Sequence, residues 1–128
     1  MSNEIYRVEV EDEFSASHQL RNYGGRCEEL HGHNFRVLAE VEGYELDPQT
    51  GLLIDFKELR GNLHRILQEL DHAHLNELPA FQETNPSSEN LARHIYTRLE
   101  EGLPESGVRL RKVSVLEKKG SKATFKRG

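Results

Sequence analysis

The chain has 128 residues, 7 His, 1 Cys, no Trp, 35% hydrophobic residues and a formal net charge of −5, the profile of one globular domain spanning 1–128. A single Cys excludes an intrachain disulfide framework and points to a reducing cytoplasm, no apolar run approaches the ~20 residues of a membrane span, and the start MSNEIYRVEV lacks the basic and apolar regions of a signal peptide. Charge is unevenly spread, with 9 basic and 21 acidic side chains in residues 1–107 against 8 and 1 in residues 108–128; the basic end suits an anionic ligand or edge strands protected by Lys and Arg, and without a basic stripe interleaved with aromatics nucleic acid is a poor partner.

Residues 5–18 alternate, with Tyr6, Val8, Val10, Phe14, Ala16 and His18 on one face and Arg7, Glu9, Glu11 and Glu13 on the other, which predicts a half-buried strand. After the loop RNYGGRCEEL, a second strand places His33, Phe35, Val37, Ala39 and Val41 on one face. GYELDPQTG is turn material. The period then changes to 3.6: Phe56, Leu59, Leu63, Ile66, Leu67 and Leu70 form a helical stripe, with Asp55 as N-cap and Glu58 completing a capping-box pattern.

A second helix opens at Ser87 or Ser88, turns Leu91, Ala92, Ile95, Tyr96 and Leu99 inward, and stops at Gly102 and Pro104. The tail returns to period two, with Val113, Val115 and Glu117 on one face, a turn near Gly120, and Ala123 and Phe125 on the last strand. Strand, strand, helix, helix, strand, strand predicts an α+β antiparallel sheet with helices on one face. A domain of this size has little wall for a deep pocket, so a small-molecule site is expected to be completed by a neighbouring subunit.

His31 and His33 flank Gly32, and residues two apart on a strand point the same way. If the 19–30 loop makes an antiparallel hairpin, His18 lands beside that pair. Three imidazoles with a fourth tetrahedral position open are the pattern of catalytic zinc; the alternative is a set of core histidines with satisfied hydrogen bonds. Gly32, lacking Cβ, is expected to allow close approach to the metal.

Cys27 stands four residues before His31 as a fourth ligand, a nucleophile or acid/base, or an inert thiol. Without a CxxC-like pair, a functional thiol beside an open metal is favoured. Asp71 and His72 follow the first helix, where the carboxylate can orient an imidazolium. His74 reads as a loop residue, and His64 and His94 as solvated surface. Glu117 continues an apolar phase and needs a partner, whether an ion pair, a backbone donor or a ligand.

With these residues collected, the sequence resembles the family of 6-pyruvoyl-tetrahydropterin and 6-carboxy-tetrahydropterin synthases. The matching pieces are FSASH at 14–18, CEELHGHNF at 27–35, LIDFKEL at 53–59, LDHAHLNE at 70–77, NPSSENLARHIY at 85–96 and VLEKKGSKATF at 115–125. The resemblance implies the tunnelling fold: a four-stranded antiparallel sheet with two helices between strands two and three, in trimers that form a barrel and pair into hexamers, with active sites between subunits.

It further implies that His18, His31 and His33 bind zinc, that Cys27 acts with Asp71 and His72 in proton transfer, and that Glu117 holds the pterin, whose N3–H and 2-amino group form a two-donor edge matched by a carboxylate. The short Cys27 to His31 spacing resembles the bacterial 6-carboxy-tetrahydropterin synthases of queuosine (7-deazaguanine) biosynthesis. These act on a pterin triphosphate, 7,8-dihydroneopterin triphosphate. Two other readings are a pyruvoyl-type synthase that eliminates triphosphate without carbon–carbon cleavage, and a zinc- or pterin-binding module without turnover. Two positions depart from the family: Lys118 stands where a Thr is usual, and Phe125 where a Tyr is common.

Overall fold

A computed structural model describes residues 4–23, 29–104 and 107–128. The first two strands, β1 (Tyr6–His18) and β2 (His31–Gly43), pair antiparallel with Phe14 opposite Phe35, Ala16 opposite His33 and His18 opposite His31. Their alternation resolves as expected: Val10, Phe14, Ala16 and His18 are buried, as are Phe35, Val37, Ala39 and Val41 across the hairpin. Tyr6 departs from this pattern, half exposed at the first residue of its strand, where burial has not begun.

Helix α1 (Phe56–Leu70) starts at Asp55, whose carboxylate accepts the Lys57 N–H at 2.8 Å, satisfying one of the amides that a first turn leaves free. Leu59, Leu63, Ile66, Leu67 and Leu70 are buried, at a transfer free energy of roughly 1.5–3 kcal/mol for each large apolar side chain. Phe56, placed on the same stripe by periodicity, is exposed in the first turn. Helix α2 (Ser88–Glu101) is capped by Ser87, which accepts the Asn90 N–H, and buries Leu91, Ala92, Ile95, Tyr96 and Leu99.

Strand β3 (Ala73–His74) is a two-residue parallel bridge to Ala16 and Ser17 of β1. The last hairpin is β4 (Arg109–Lys118) and β5 (Ser121–Phe125), turning at Gly120 with φ +90°. The described sheet therefore has five strands in the order β3-β1-β2-β4-β5, against the four expected. Two residues are too few to show a period, so β3 left no signal in the sequence.

Two bulges shape β4. The register on β2 shifts between Glu40 and Val41, with Arg111 the extra residue between Leu110 and Lys112, so both Leu110 and Val113 face the core. On β5 the register shifts between Leu116 and Lys118, leaving Glu117 as the extra residue. A bulge bends its strand and re-aims a side chain. At the far end of β2, Gly43 makes a required close approach: a Cβ there would lie 2.4 Å from the Gly107 carbonyl and 2.5 Å from Leu53 Cδ1.

Candidate metal centre and neighbouring cavity

His18 ends β1, and His31 and His33 begin β2, so the hairpin register brings three imidazoles together. Ring centroids lie 4.6 Å apart for His18–His31 and His31–His33, and 5.5 Å apart for His18–His33. Phe35 meets the rings of His18 and His33 edge-on, at 5.3 and 5.8 Å, and stacks on Phe14 at 4.9 Å. The packed aromatic pair thus forms an apolar support beneath the cluster.

The fourth member is Glu117, on the face of Val113 and Val115 and at the second bulge of β4. Its Oε1 lies 2.7 Å from His18 Nε2, 3.1 Å from His33 Nε2 and 3.6 Å from His31 Nε2. The ligating atoms of these four residues all lie within 4.8 Å of one another. Neighbouring vertices of a tetrahedral zinc site with 2.0–2.1 Å bonds are about 3.3 Å apart, a value the three oxygen–nitrogen distances bracket.

The hydrogen bonds around the rings test whether a cation fits. His18 Nδ1 faces the Pro86 carbonyl at 2.8 Å, and His31 Nδ1 faces the Glu29 carbonyl at 2.8 Å. A carbonyl only accepts, so it assigns the proton to Nδ1 and leaves Nε2 as a lone-pair donor, the tautomer of a metal-ligating His. Those lone pairs face a carboxylate oxygen, another acceptor. A positive charge between them resolves the conflict, and a divalent metal held by the imidazoles would supply it, with the carboxylate as a nearby counter-charge.

Gly32 lines the neighbouring cavity, but a Cβ there would meet only the Ala16 carbonyl at 3.7 Å. Cys27 lies outside the described residues.

Asp71 and His72 do meet: His72 Nδ1 is 2.9 Å from Asp71 Oδ2. Asp71 also accepts the Ser15 N–H at 2.8 Å, and this bond, with help from His72, holds its carboxyl below the usual carboxylate range against the opposing effect of burial. His72 adopts φ +57° and its ring is largely exposed. A non-Gly residue in this region is held there by its surroundings. Its backbone N–H donates to the Ser15 carbonyl, so β1 fixes the dyad from both sides.

His33 and His72 line one open cavity of about 590 Å³ with Ser15, Ser17, Asn34 and His74. A second, of about 410 Å³, is lined by the three histidines with Ser87, Glu117 and Lys118. His74, read from sequence as a loop residue, sits on β3 with Nδ1 3.1 Å from Ser17 Oγ. His64 is exposed as expected but pairs with Asp12 at 2.8 Å. His94 differs from the solvated surface residue expected: it is partly buried, with its ring edge-on to Phe81 at 5.4 Å. Phe125, at the family's usual Tyr position, packs on Tyr96 at 5.0 Å under the Arg127 guanidinium.

A largely antiparallel sheet backed by two helices inserted after its first hairpin, with a histidine cluster at the connected end of that hairpin, defines a tunnelling-fold protein. The model of the 6-pyruvoyl tetrahydropterin synthase family matches residues 7–128. The chain belongs to that family. It is 37% identical over 126 residues to a 6-carboxy-5,6,7,8-tetrahydropterin synthase of Synechocystis, covering 94% of this chain and 93% of the relative. It is 35% identical over 127 residues to human 6-pyruvoyl tetrahydrobiopterin synthase, covering 88% and 86%. The structure of the Caenorhabditis elegans 6-pyruvoyl tetrahydropterin synthase superposes with a TM-score of 0.83 at 26% identity, covering 98% of this chain and 97% of that one. Among the described residues no helix is long and apolar enough to cross a membrane.

Proposed function

We propose that the protein is a zinc-dependent 6-carboxy-5,6,7,8-tetrahydropterin synthase of queuosine biosynthesis, a single cytoplasmic domain working as a homo-oligomer, trimer to hexamer, with active sites between subunits. It converts 7,8-dihydroneopterin triphosphate and water to 6-carboxy-5,6,7,8-tetrahydropterin, acetaldehyde and triphosphate. The observation that carries this reading is the convergence of His18, His31 and His33 on one point beside the cavity that His72 lines, in a chain 37% identical to a relative bearing that name.

His18, His31 and His33 hold the metal, each fixed by the hairpin register. When bound, zinc supplies Lewis-acid stabilisation of negative charge on the substrate's side-chain oxygens. With the metal on the imidazole lone pairs, the Glu117 carboxylate, which faces those nitrogens at 2.7–3.6 Å in this structure, is left to match the pterin's N3–H and 2-amino donors. With Nδ1 bound to Asp71, His72 has Nε2 as its working atom and exchanges protons with the substrate's side-chain carbons and oxygens. Cys27 serves as the base on the other side. The carboxylate of Asp71 stabilises the imidazolium formed when His72 takes a proton.

Incubation with 7,8-dihydroneopterin triphosphate and mass analysis of the products tests the reading. Acetaldehyde and the carboxylated pterin in equal amounts are expected; triphosphate release with a retained three-carbon side chain would establish the pyruvoyl reaction instead. The human relative's name favours that second reading. Pterin binding with no turnover would leave a binding module.

A further inference from the structure

Gln19 and Arg21, the first and third residues after His18, are held by side chains from far along the chain. Asn76 accepts the Gln19 N–H through Oδ1 at 2.8 Å and donates through Nδ2 to the Gln19 carbonyl at 2.7 Å. Asn85 makes the same pair of bonds to Arg21, both at 2.8 Å. Each amide presents one donor and one acceptor, as a neighbouring strand would, so two side chains extend the pairing of β1 past its last residue. The Arg21 guanidinium closes the arrangement on the carbonyls of Phe81, at 2.7 Å, and Asn76, at 3.3 Å.

This network meets the metal centre at one bond. Pro86, the residue after Asn85, supplies the carbonyl that fixes the proton on His18 Nδ1. Asn85 is itself anchored, its carbonyl accepting from Asn90 Nδ2 at 2.9 Å while the Asn90 N–H caps α2 through Ser87. One side of the tract holds the backbone beyond His18, and the next carbonyl holds the His18 ring.

We propose that Asn76 and Asn85 are positioning residues for the metal centre: they clamp residues 19–21 so that the Pro86 carbonyl orients His18 with Nε2 toward the metal. The inference rests on reading the histidine cluster as a metal centre. Outer partners of a ligating His typically change metal affinity by 10–100-fold when removed.

The test measures zinc affinity by competition with a chromogenic chelator and the visible spectrum of the cobalt(II) form, beside urea unfolding of the metal-free protein. Asn85→Ala and Asn76→Ala are expected to weaken zinc binding about 10–100-fold and to alter the cobalt band. Asn85→Asp keeps an acceptor for the Arg21 N–H and loses the donor to its carbonyl, so an intermediate loss is expected; it carries the test if the Ala variants do not fold. Leu99→Ala, which opens the core along α2, serves as the stability control and is expected to keep parental affinity. Asn variants binding within twofold of the parent would overturn the clamp, as would an equal loss in Leu99→Ala at matched stability. A parent that binds neither ion would instead overturn the metal reading itself, and the clamp's role with it.

Discussion

Ser15 and Asp71, 56 residues apart, are joined by a backbone N–H donating to a carboxylate at 2.8 Å. The bond fastens the end of α1 to the last residues of the site-bearing strand, three residues before His18, and the residue that follows Asp71 there is His72. The Ser15 carbonyl accepts the His72 N–H in return. A left-handed residue held by such reciprocal bonds is over-determined by its surroundings, which is how strain persists at a working position.

Replacing His72 therefore separates stability from activity. His72→Ala and His72→Gly both remove the imidazole and are each expected to lower turnover by about 10²–10⁴-fold. Ala pays roughly 1 kcal/mol for φ +57° and Gly does not, so the Gly variant is expected to be the more stable of the two in urea unfolding. A stability order of Ala above Gly would show that the backbone relaxes out of the left-handed region once the ring is gone.

The metal centre makes a graded prediction. His18→Ala removes the most buried ligand and its bond to Pro86, and zinc content measured after dialysis is expected to fall to near zero. Glu117→Gln leaves all three imidazoles in place while removing the negative charge and one acceptor. Zinc is expected to remain at substantial occupancy, and pterin affinity to fall by about 1.5–3 kcal/mol, the range for a hydrogen bond to a charged group. Calorimetric titration with a pterin lacking the triphosphate chain checks the second statement. Unchanged pterin binding would remove Glu117 from the pterin edge.

The sequence made the hairpin legible because period two carries the His18, His31 and His33 phases directly, and the capping residues Asp55 and Ser87 announced both helices. What escaped was non-local or irregular. The alternation put Glu117 on the face of Val113 and Val115, but the bulge that leaves it unpaired on β5 has no period to show it. The amide pairs of Asn76 and Asn85 reach back 57 and 64 residues, and no local pattern encodes them. His94 looked polar by type and lies against Phe81 by packing.

Two glycines give opposite stability predictions. Gly43→Ala places a methyl against the Gly107 carbonyl and Leu53, an overpacking expected to cost about 1–3 kcal/mol. Gly61 lies within α1, where a Cβ meets nothing within 4 Å, and Gly61→Ala is expected to stabilise by about 0.5–1 kcal/mol through helix propensity. Chemical denaturation of the two variants checks both signs. A destabilised Gly61→Ala would mean that this face of α1 is covered in the assembled protein.

His94 supplies the pH dependence. Burial first, and then the Arg98 guanidinium, push its pKa below the ordinary 6.5, with Glu69 pulling weakly the other way. Glu69 is itself held ionised by a two-pronged pair with Arg98 at 2.7 and 2.9 Å. In the unfolded chain His94 titrates near 6.5, so below that pH the unfolded state binds more protons than the folded one. Its contribution to stability is therefore full above about pH 6.5 and declines as the pH falls through that value toward the lower folded pKa. Unfolding free energy measured at pH 7.5 and pH 5.5 is expected to drop in the parent, and the drop is expected to shrink in His94→Phe, which keeps an aromatic against Phe81 and has no proton to bind. An identical drop in both proteins would place the acid-sensitive group elsewhere in the chain.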